Sequence, residues 1–364
     1  MSWHDDARAR FPHLGECTYL NTAAAGLAWT GQGAAAAAHW DLAMRDGYDA
    51  REAWRARSAR AAERVAALLG VPASHVLFAG TTTDALNRIA AALPWRPGDR
   101  VVLAADEFPS VRLAWTVAER AGATVLEVPV PAESARGAAL LAALEPGVRV
   151  LAVSHVHWET GTRVDLDALG AACRANGTLL VVDGIQALGA VPVDAAAADA
   201  YCAATFKWLL SGFGLAIMVV GERLQAALDP AQRGYLNPPP SRSLQASHAN
   251  HPGLHVLDAT LGLLERIGWD RIHAQVDALG AALHAAASQA GFEPATPSGA
   301  RAGIVSLPCA EPEAALARLH ALGFRIEQRG ALLRAAPHFY NSIDEVGSFV
   351  DALRRVARPL TGRS

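Results

Sequence analysis

The chain has 364 residues, enough for a large core and two domains, and 52% of them are hydrophobic. A formal net charge of -3 supplies no basic field, so neither nucleic acid nor a membrane is expected as a partner. Cys17, Cys173, Cys202 and Cys309 lack metal-ligand spacing and read as buried free thiols of a reducing compartment, and no metal is expected.

The amino terminus, MSWHDDARARF, carries acids and no apolar stretch, which is unlike a signal peptide. No run is long and apolar enough to span a bilayer, so a cytoplasmic protein is expected. Residues Phe11 to Leu27 read as a loop with an extended piece. Helices are expected at Ala34 to Arg45, where alanine propensity explains the AAAAA run, and at Arg51 to Leu69, closed by Gly70 before Pro72.

From Val76 short aliphatic runs alternate with helical stretches. VLF leads to a helix after Thr83, RVVLAA to a helix at Val111 to Ala121, TVLEV to Gly137 to Leu144, and VRVLAVS to Asp165 to Asn176. This alternation predicts crossover units and a mostly parallel sheet. The segment from Arg233 to Pro252, with NPPPSRS and SHANH, reads as a long irregular connection. Helices at Leu254 to Ile267 and Trp269 to Ala290 follow. The strand GIVSLP, a helix from Glu311, two short strands and a helix from Ile343 complete a smaller α+β domain. The expected boundaries are 15–253 for the large domain and 254–364, with 1–14, for the small one.

Thr178 to Trp208 is the centre of this pattern. LLVVD and AYCAATF read as buried parallel strands, so Asp183 and Lys207 fall where strands end, and there open α/β sheets bind ligands. A lysine that loses solvation at such a place has a lowered pKa and can attack a carbonyl to form a Schiff base. A carboxylate nearby can hold a protonated pyridine nitrogen, which is what makes pyridoxal phosphate an electron sink. Alone, each residue fits a plainer assignment, Asp183 as a turn cap and Lys207 as a strand-end surface residue. GTTTDALN likewise fits either a threonine cap or a phosphate cradle at a helix amino terminus.

The ordered set YLNTAAAGL, GTTTDALN, ETGT, VDGIQALG, FKWLL and LLRAAPHFYNSIDEV resembles the class V aminotransferases of pyridoxal-phosphate fold type I. These include cysteine desulfurases, isopenicillin N epimerase-like enzymes and C-S lyases. The resemblance implies an α/β fold, a large mostly parallel-sheet domain with a smaller α+β carboxyl-terminal domain, and pyridoxal 5'-phosphate as cofactor. Lys207 would carry the cofactor and then act as base. Asp183 would hold the pyridine nitrogen and Gln186 the phenolic oxygen, while Thr82 and Thr83 would bind the phosphate.

Phe108 stands where desulfurases have a histidine, so it would stack on the cofactor ring without moving protons, and the acid-base role must lie elsewhere. The family's Ser-Gly-His-Lys is here Ala204, Thr205, Phe206, Lys207, which removes two phosphate contacts. Thr205 would replace one, and His248 or Asn250 from a second subunit another, so a homodimer is expected. Arg334 would clamp the substrate α-carboxylate with a bidentate fork, its alternative being a buried ion pair. Ala24 and Trp158 lie in the segments the resemblance brings beside an amino-acid substrate. RIEQRGALLRAAPH lacks the desulfurase loop cysteine, and Cys309 comes too early to replace it, so persulfide chemistry is not expected. C-S lyase ranks first, epimerase second and transaminase third, with a degenerate, non-catalytic cofactor-binding member as the alternative of another kind.

Overall fold

The computed structural model describes residues 2–360. Seven strands form the large sheet in the order Val76–Ala79, Ala216–Val220, Ala200–Ala204, Leu179–Asp183, Val148–Ser154, Arg100–Ala104 and Thr124–Val128. Ala216–Val220 alone runs antiparallel, pairing with Val76–Ala79 on one side and Ala200–Ala204 on the other. Leu179–Asp183 and Ala200–Ala204 are buried at every position, because helices cover both faces of the sheet. That explains their unbroken aliphatic runs.

The expected helix at Val111 to Ala121 is two short ones, Pro109–Leu113 and Thr116–Arg120. The buried Trp115 sits between them at φ -86° and ψ 2°, and the Thr116 hydroxyl donates to the Leu113 carbonyl at 2.9 Å. The final helices carry a small sheet, Glu327–Arg329, Leu332–Ala335 and Val305–Pro308, all antiparallel. Trp269–Gln289 and Ile343–Val356 pack against it through Leu279, Leu283, Phe349 and Leu353.

His251–Ile267 was expected in the small domain, yet its Leu254, Leu257, Leu261 and Leu264 join the core beneath the large sheet, with Ala61, Val65 and Leu69. Ala7, Phe11 and Leu14 from the 1–14 segment join that core too. Ile272, Phe339 and Tyr340 belong to that core as well, so the two cores interleave along the chain.

Residues 20–27 are pressed onto the segment that follows Ala204. The Gly26 amide donates to the Phe206 carbonyl at 2.8 Å, and a Cβ at Gly26 would collide with the Lys207 carbonyl and the Leu210 side chain. Gly15, in the same amino-terminal segment, has nothing within 4 Å of such a Cβ. Gly26→Ala should therefore lose about 1 to 3 kcal/mol in equilibrium denaturation, and Gly15→Ala close to none. Equal effects of the two substitutions would show that the close approach at Gly26 is not a constraint.

Candidate active site

Parallel register delivers the polar residues to one edge of the sheet. Ser154 and Asp183 are paired positions at the ends of neighbouring strands, and Asp183 pairs in turn with Cys202. Three residues past the end of the next strand comes Lys207. Ser154, Asp183 and Lys207 line a cavity of about 210 Å³ together with Thr81, Thr82, Thr83, Phe108, Ser110, Val156, Trp158, Ile185, Gln186, Ala204 and Phe206. A larger, open groove of about 450 Å³ beside Arg163 and Asp194 contains no amine nucleophile.

Lys207 is the only lysine in the chain. Every other cationic side chain at neutral pH is an arginine, a signal present in the sequence that the motif reading above does not use. Desolvation lowers the Lys207 pKa, Asp183 opposes the shift, and Arg334 and Arg329 add to it. No ion pair within 4.0 Å engages its amine among the described residues. Asp183 is buried and accepts the Ile185 amide at 2.9 Å. Burial raises its pKa, while that amide and Lys207 pull it down.

Thr81 is the cap of the helix that opens the GTTTDALN motif, its hydroxyl accepting the Asp84 amide at 3.0 Å. The Thr82 hydroxyl accepts the Ala204 amide at 2.9 Å, and those of Thr83 and Ser110 are 2.7 Å apart. Hydroxyls and helix amides thus converge on one end of the cavity, as an anion requires. The Gln186 amide is held by Ala23, whose carbonyl accepts at 3.0 Å, and by the Trp208 indole, which donates at 3.0 Å.

Thr205 does not face the cavity. Its hydroxyl lies 3.2 Å from the carbonyls of Gly212 and Leu215 and is fully buried, so it closes a turn and offers no phosphate contact. His248 bonds the Tyr235 hydroxyl at 2.6 Å, and Asn250 caps His251–Ile267 while donating to the Gly214 carbonyl at 3.0 Å. Neither lines the cavity of its own chain, nor does Ala24, whose amide donates to the Asn21 carbonyl.

Two arginines are almost wholly buried, and they differ in one respect. Arg136 donates to both oxygens of Asp106, at 2.9 and 2.5 Å, and to both of Glu133, at 3.2 and 2.7 Å. Arg334 donates once, from Nη1 to the Trp158 carbonyl at 2.6 Å, and its Nε and Nη2 are buried without a partner. The expected alternative, an ion pair, is not formed among the described residues: Glu327 is opposite Arg334 across the small sheet, but no carboxylate oxygen lies within 4.0 Å of the guanidinium nitrogens. Desolvation lowers the Arg334 pKa to about 10, with Arg329 adding to the shift and Glu327 and Glu159 opposing it. Arg329, whose Nε is also buried and unpartnered, lies over the Trp158 ring at 5.9 Å. Phe108 meets that indole edge on, with ring centroids 5.6 Å apart.

A recessed amine, a buried carboxyl and a threonine-rich helix terminus around one cavity, with a guanidinium held at the Trp158 carbonyl and two of its nitrogens left without a partner, are the arrangement of a lysine-centred enzyme of the pyridoxal-phosphate type. A family model described as Aminotransferase class-V matches residues 39–342. The chain belongs to the class V aminotransferase family and is a pyridoxal-phosphate-dependent enzyme.

It is 29% identical over 346 residues to an isopenicillin N epimerase of Amycolatopsis lactamdurans, covering 84% of this chain and 85% of that one. It is 26% identical over 304 residues to an uncharacterized aminotransferase of Bacillus subtilis (strain 168), covering 79% and 80%. An apo cysteine desulfurase of Thermococcus onnurineus NA1 superposes with a TM-score of 0.87 at 21% identity, covering 98% of each chain. The cystine C-S lyase C-DES, in complex with its product cysteine persulfide, gives 0.88 at 21% identity, covering 96% and 100%.

The residues present fit the cofactor: among the described residues the Lys207 amine makes no ion pair, and the buried Asp183 carboxyl, whose one recorded donor is the Ile185 amide, lines the same cavity as the hydroxyls of Thr82 and Thr83. Arg136→Met should cost about 3 kcal/mol, the lower end for a broken buried pair because Asp106 keeps contact with water. Arg334→Met should cost little in denaturant, since it removes a desolvated cation that has no acid partner, while weakening amino-acid binding measured by calorimetry at least tenfold. Equal destabilisation by the two substitutions would make Arg334 a structural residue.

Proposed function

We propose that the protein is a C-S lyase acting on an S-substituted α-amino acid, in which Lys207 removes the α-proton and Arg334 holds the α-carboxylate. The observation that carries this reading is that the chain's single lysine shares its cavity with Asp183 and feels the charge of a guanidinium with two unpartnered nitrogens. When bound, pyridoxal phosphate supplies an electron sink that stabilises negative charge at the α-carbon.

The chain's own groups supply the rest. Burial lowers the Lys207 pKa to about 8, which makes the neutral form that accepts a proton available near neutral pH. Asp183 offers a carboxyl to the cofactor's pyridine nitrogen, Gln186 a donor to its phenolic oxygen, and Thr82 and Thr83 a cradle for its phosphate. Phe108 covers the cavity as an apolar platform. The fork of Arg334 orients the substrate, so that its α-hydrogen meets the amine.

Elimination of a sulfur leaving group needs one base, whereas inversion at the α-carbon needs a proton donor on the opposite face as well. Position 108, phenylalanine here, carries no proton, which favours lyase over epimerase. Persulfide-forming desulfuration requires an accessible nucleophilic thiol. All four cysteines are buried, and Cys309 belongs to the core of the small sheet. His248 and Asn250 at the start of His251–Ile267 suit a contact across a homodimer, and the charge balance suits a cytoplasmic protein. Among the described residues no helix is long and apolar enough to cross a membrane.

Purified protein should show a visible absorption band that borohydride removes, with the reduced cofactor's mass on the peptide containing Lys207. Lys207→Ala should abolish both, and labelling elsewhere would refute the assignment. In a screen of amino acids, S-substituted cysteines should yield pyruvate and ammonia, and Cys309→Ser should leave the rate unchanged. Racemised substrate without pyruvate would replace the lyase reading by the epimerase one. Sulfide release from cysteine that depends on Cys309 would overturn the exclusion of desulfuration.

A further inference from the structure

The turn after Arg100–Ala104 exposes Asp106 and Phe108 but folds Glu107, between them, into the interior. Its carboxyl meets a single residue: Oε1 accepts the Ser154 amide at 2.9 Å, and Oε2 lies 2.5 Å from the Ser154 hydroxyl. Ser154 in turn is the register partner of Asp183, so both side chains leave the sheet on the same face, and both line the cavity. Four neighbouring strands therefore contribute, in spatial order, Glu107, Ser154, Asp183 and Lys207. One end of this row is an acid that has no part in the chemistry above.

The charges around Glu107 are few. Asp183 faces it from the next strand but one, and Arg136 from the helix Arg136–Ala142. Burial raises its pKa to about 7, Ser154 and Arg136 pull it down, and Asp183 pushes it up. Two buried carboxyls this close resist being ionised together, so they titrate as a pair.

We propose that Glu107 is a positioning residue that stores a proton behind Ser154 and thereby controls whether Asp183 is ionised, an acid-base function the residue at position 108 cannot provide. With its proton on, Glu107 donates to the Ser154 oxygen, and the serine hydrogen is free to turn toward Asp183 and favour its carboxylate. When Glu107 releases that proton to solvent, the Ser154 hydroxyl turns back to donate to the new carboxylate. Asp183 then faces the serine oxygen's lone pairs in place of its hydrogen and gains a negative neighbour, and both changes favour its neutral form.

The spectral part of the test rests on the proposed role of Asp183 toward the cofactor; the infrared part does not. Glu107→Gln keeps the shape and the hydrogen bonds to Ser154 but cannot ionise. In cofactor-free protein titrated between about pH 5 and about pH 9, infrared difference spectra should show loss of buried carboxylic-acid absorption from both Glu107 and Asp183, and the part that disappears around pH 7 should be missing in Glu107→Gln. In the holoenzyme, the pH-dependent component of the visible spectrum over that range should flatten in Glu107→Gln. Ser154→Ala should flatten it too while retaining the infrared band, and it carries the test if the glutamine variant folds poorly.

Stability gives a third readout. A raised folded-state pKa means that this group's contribution is full below its ordinary value of 4.5 and is lost as pH rises through about 7, so Glu107→Gln should gain melting temperature over the wild type across that window. Buried carboxylic-acid absorption of undiminished amplitude in Glu107→Gln would overturn the proton store. A flat infrared profile in the wild type would do the same. An unchanged spectral profile in Glu107→Gln would overturn the coupling to Asp183. Failure to bind cofactor, with the infrared titration as expected, would sink the reading of the cavity and leave the Glu107 proton store in place.

Discussion

The structure depends on keeping a half-buried amine and a buried carboxyl near each other without an ion pair between them. Had Lys207 and Asp183 closed into a salt bridge, their mutual attraction would hold both charged and the amine would be a poor base and nucleophile. Burial without contact does the reverse: each group is pushed toward its neutral form, and each needs a ligand. The cost of desolvation is carried by the buried strands on either side, Leu179–Asp183 and Ala200–Ala204, which place the two groups and have no freedom to move them.

The same logic separates the two buried arginines. Arg136 is complete, and it locks the turn that holds Phe108 through Asp106 and Glu133. Arg334 is incomplete, and its one bond, to the Trp158 carbonyl, aims the remaining donors without satisfying them. Equal burial thus has opposite meanings, and only the count of partners tells them apart. Trp158 joins the two systems, since its indole donates to the Asp106 carbonyl at 3.2 Å while its own carbonyl receives Arg334.

Much of this was legible in sequence because parallel strands buried on both faces write themselves as aliphatic runs, and the residue after such a run is placed by the fold. Asp183 and Lys207 were placed that way, Thr82 and Thr83 by the family resemblance, and all four share one cavity. Thr205 was misread because a hydroxyl beside Lys207 looks available until its turn is built and two carbonyls claim it. The helix at Val111 to Ala121 failed where Trp115 is buried between two short helices, and His251–Ile267 was assigned by position along the chain although its leucines belong to the larger core. Glu107 carried no signal at all: an acid in a turn reads as solvent-facing, and only the inward fold of that turn reveals otherwise.

The solitary lysine also fixes how the protein meets chemistry from outside. With every other basic side chain an arginine or a histidine, the folded surface has no ε-amine to acylate, to glycate or to join in an isopeptide bond, and the sole target of that kind is recessed in the cavity. A reagent selective for ε-amines therefore acts on this molecule as a reporter of cavity access, and a ligand that fills the cavity shields the whole chain from it.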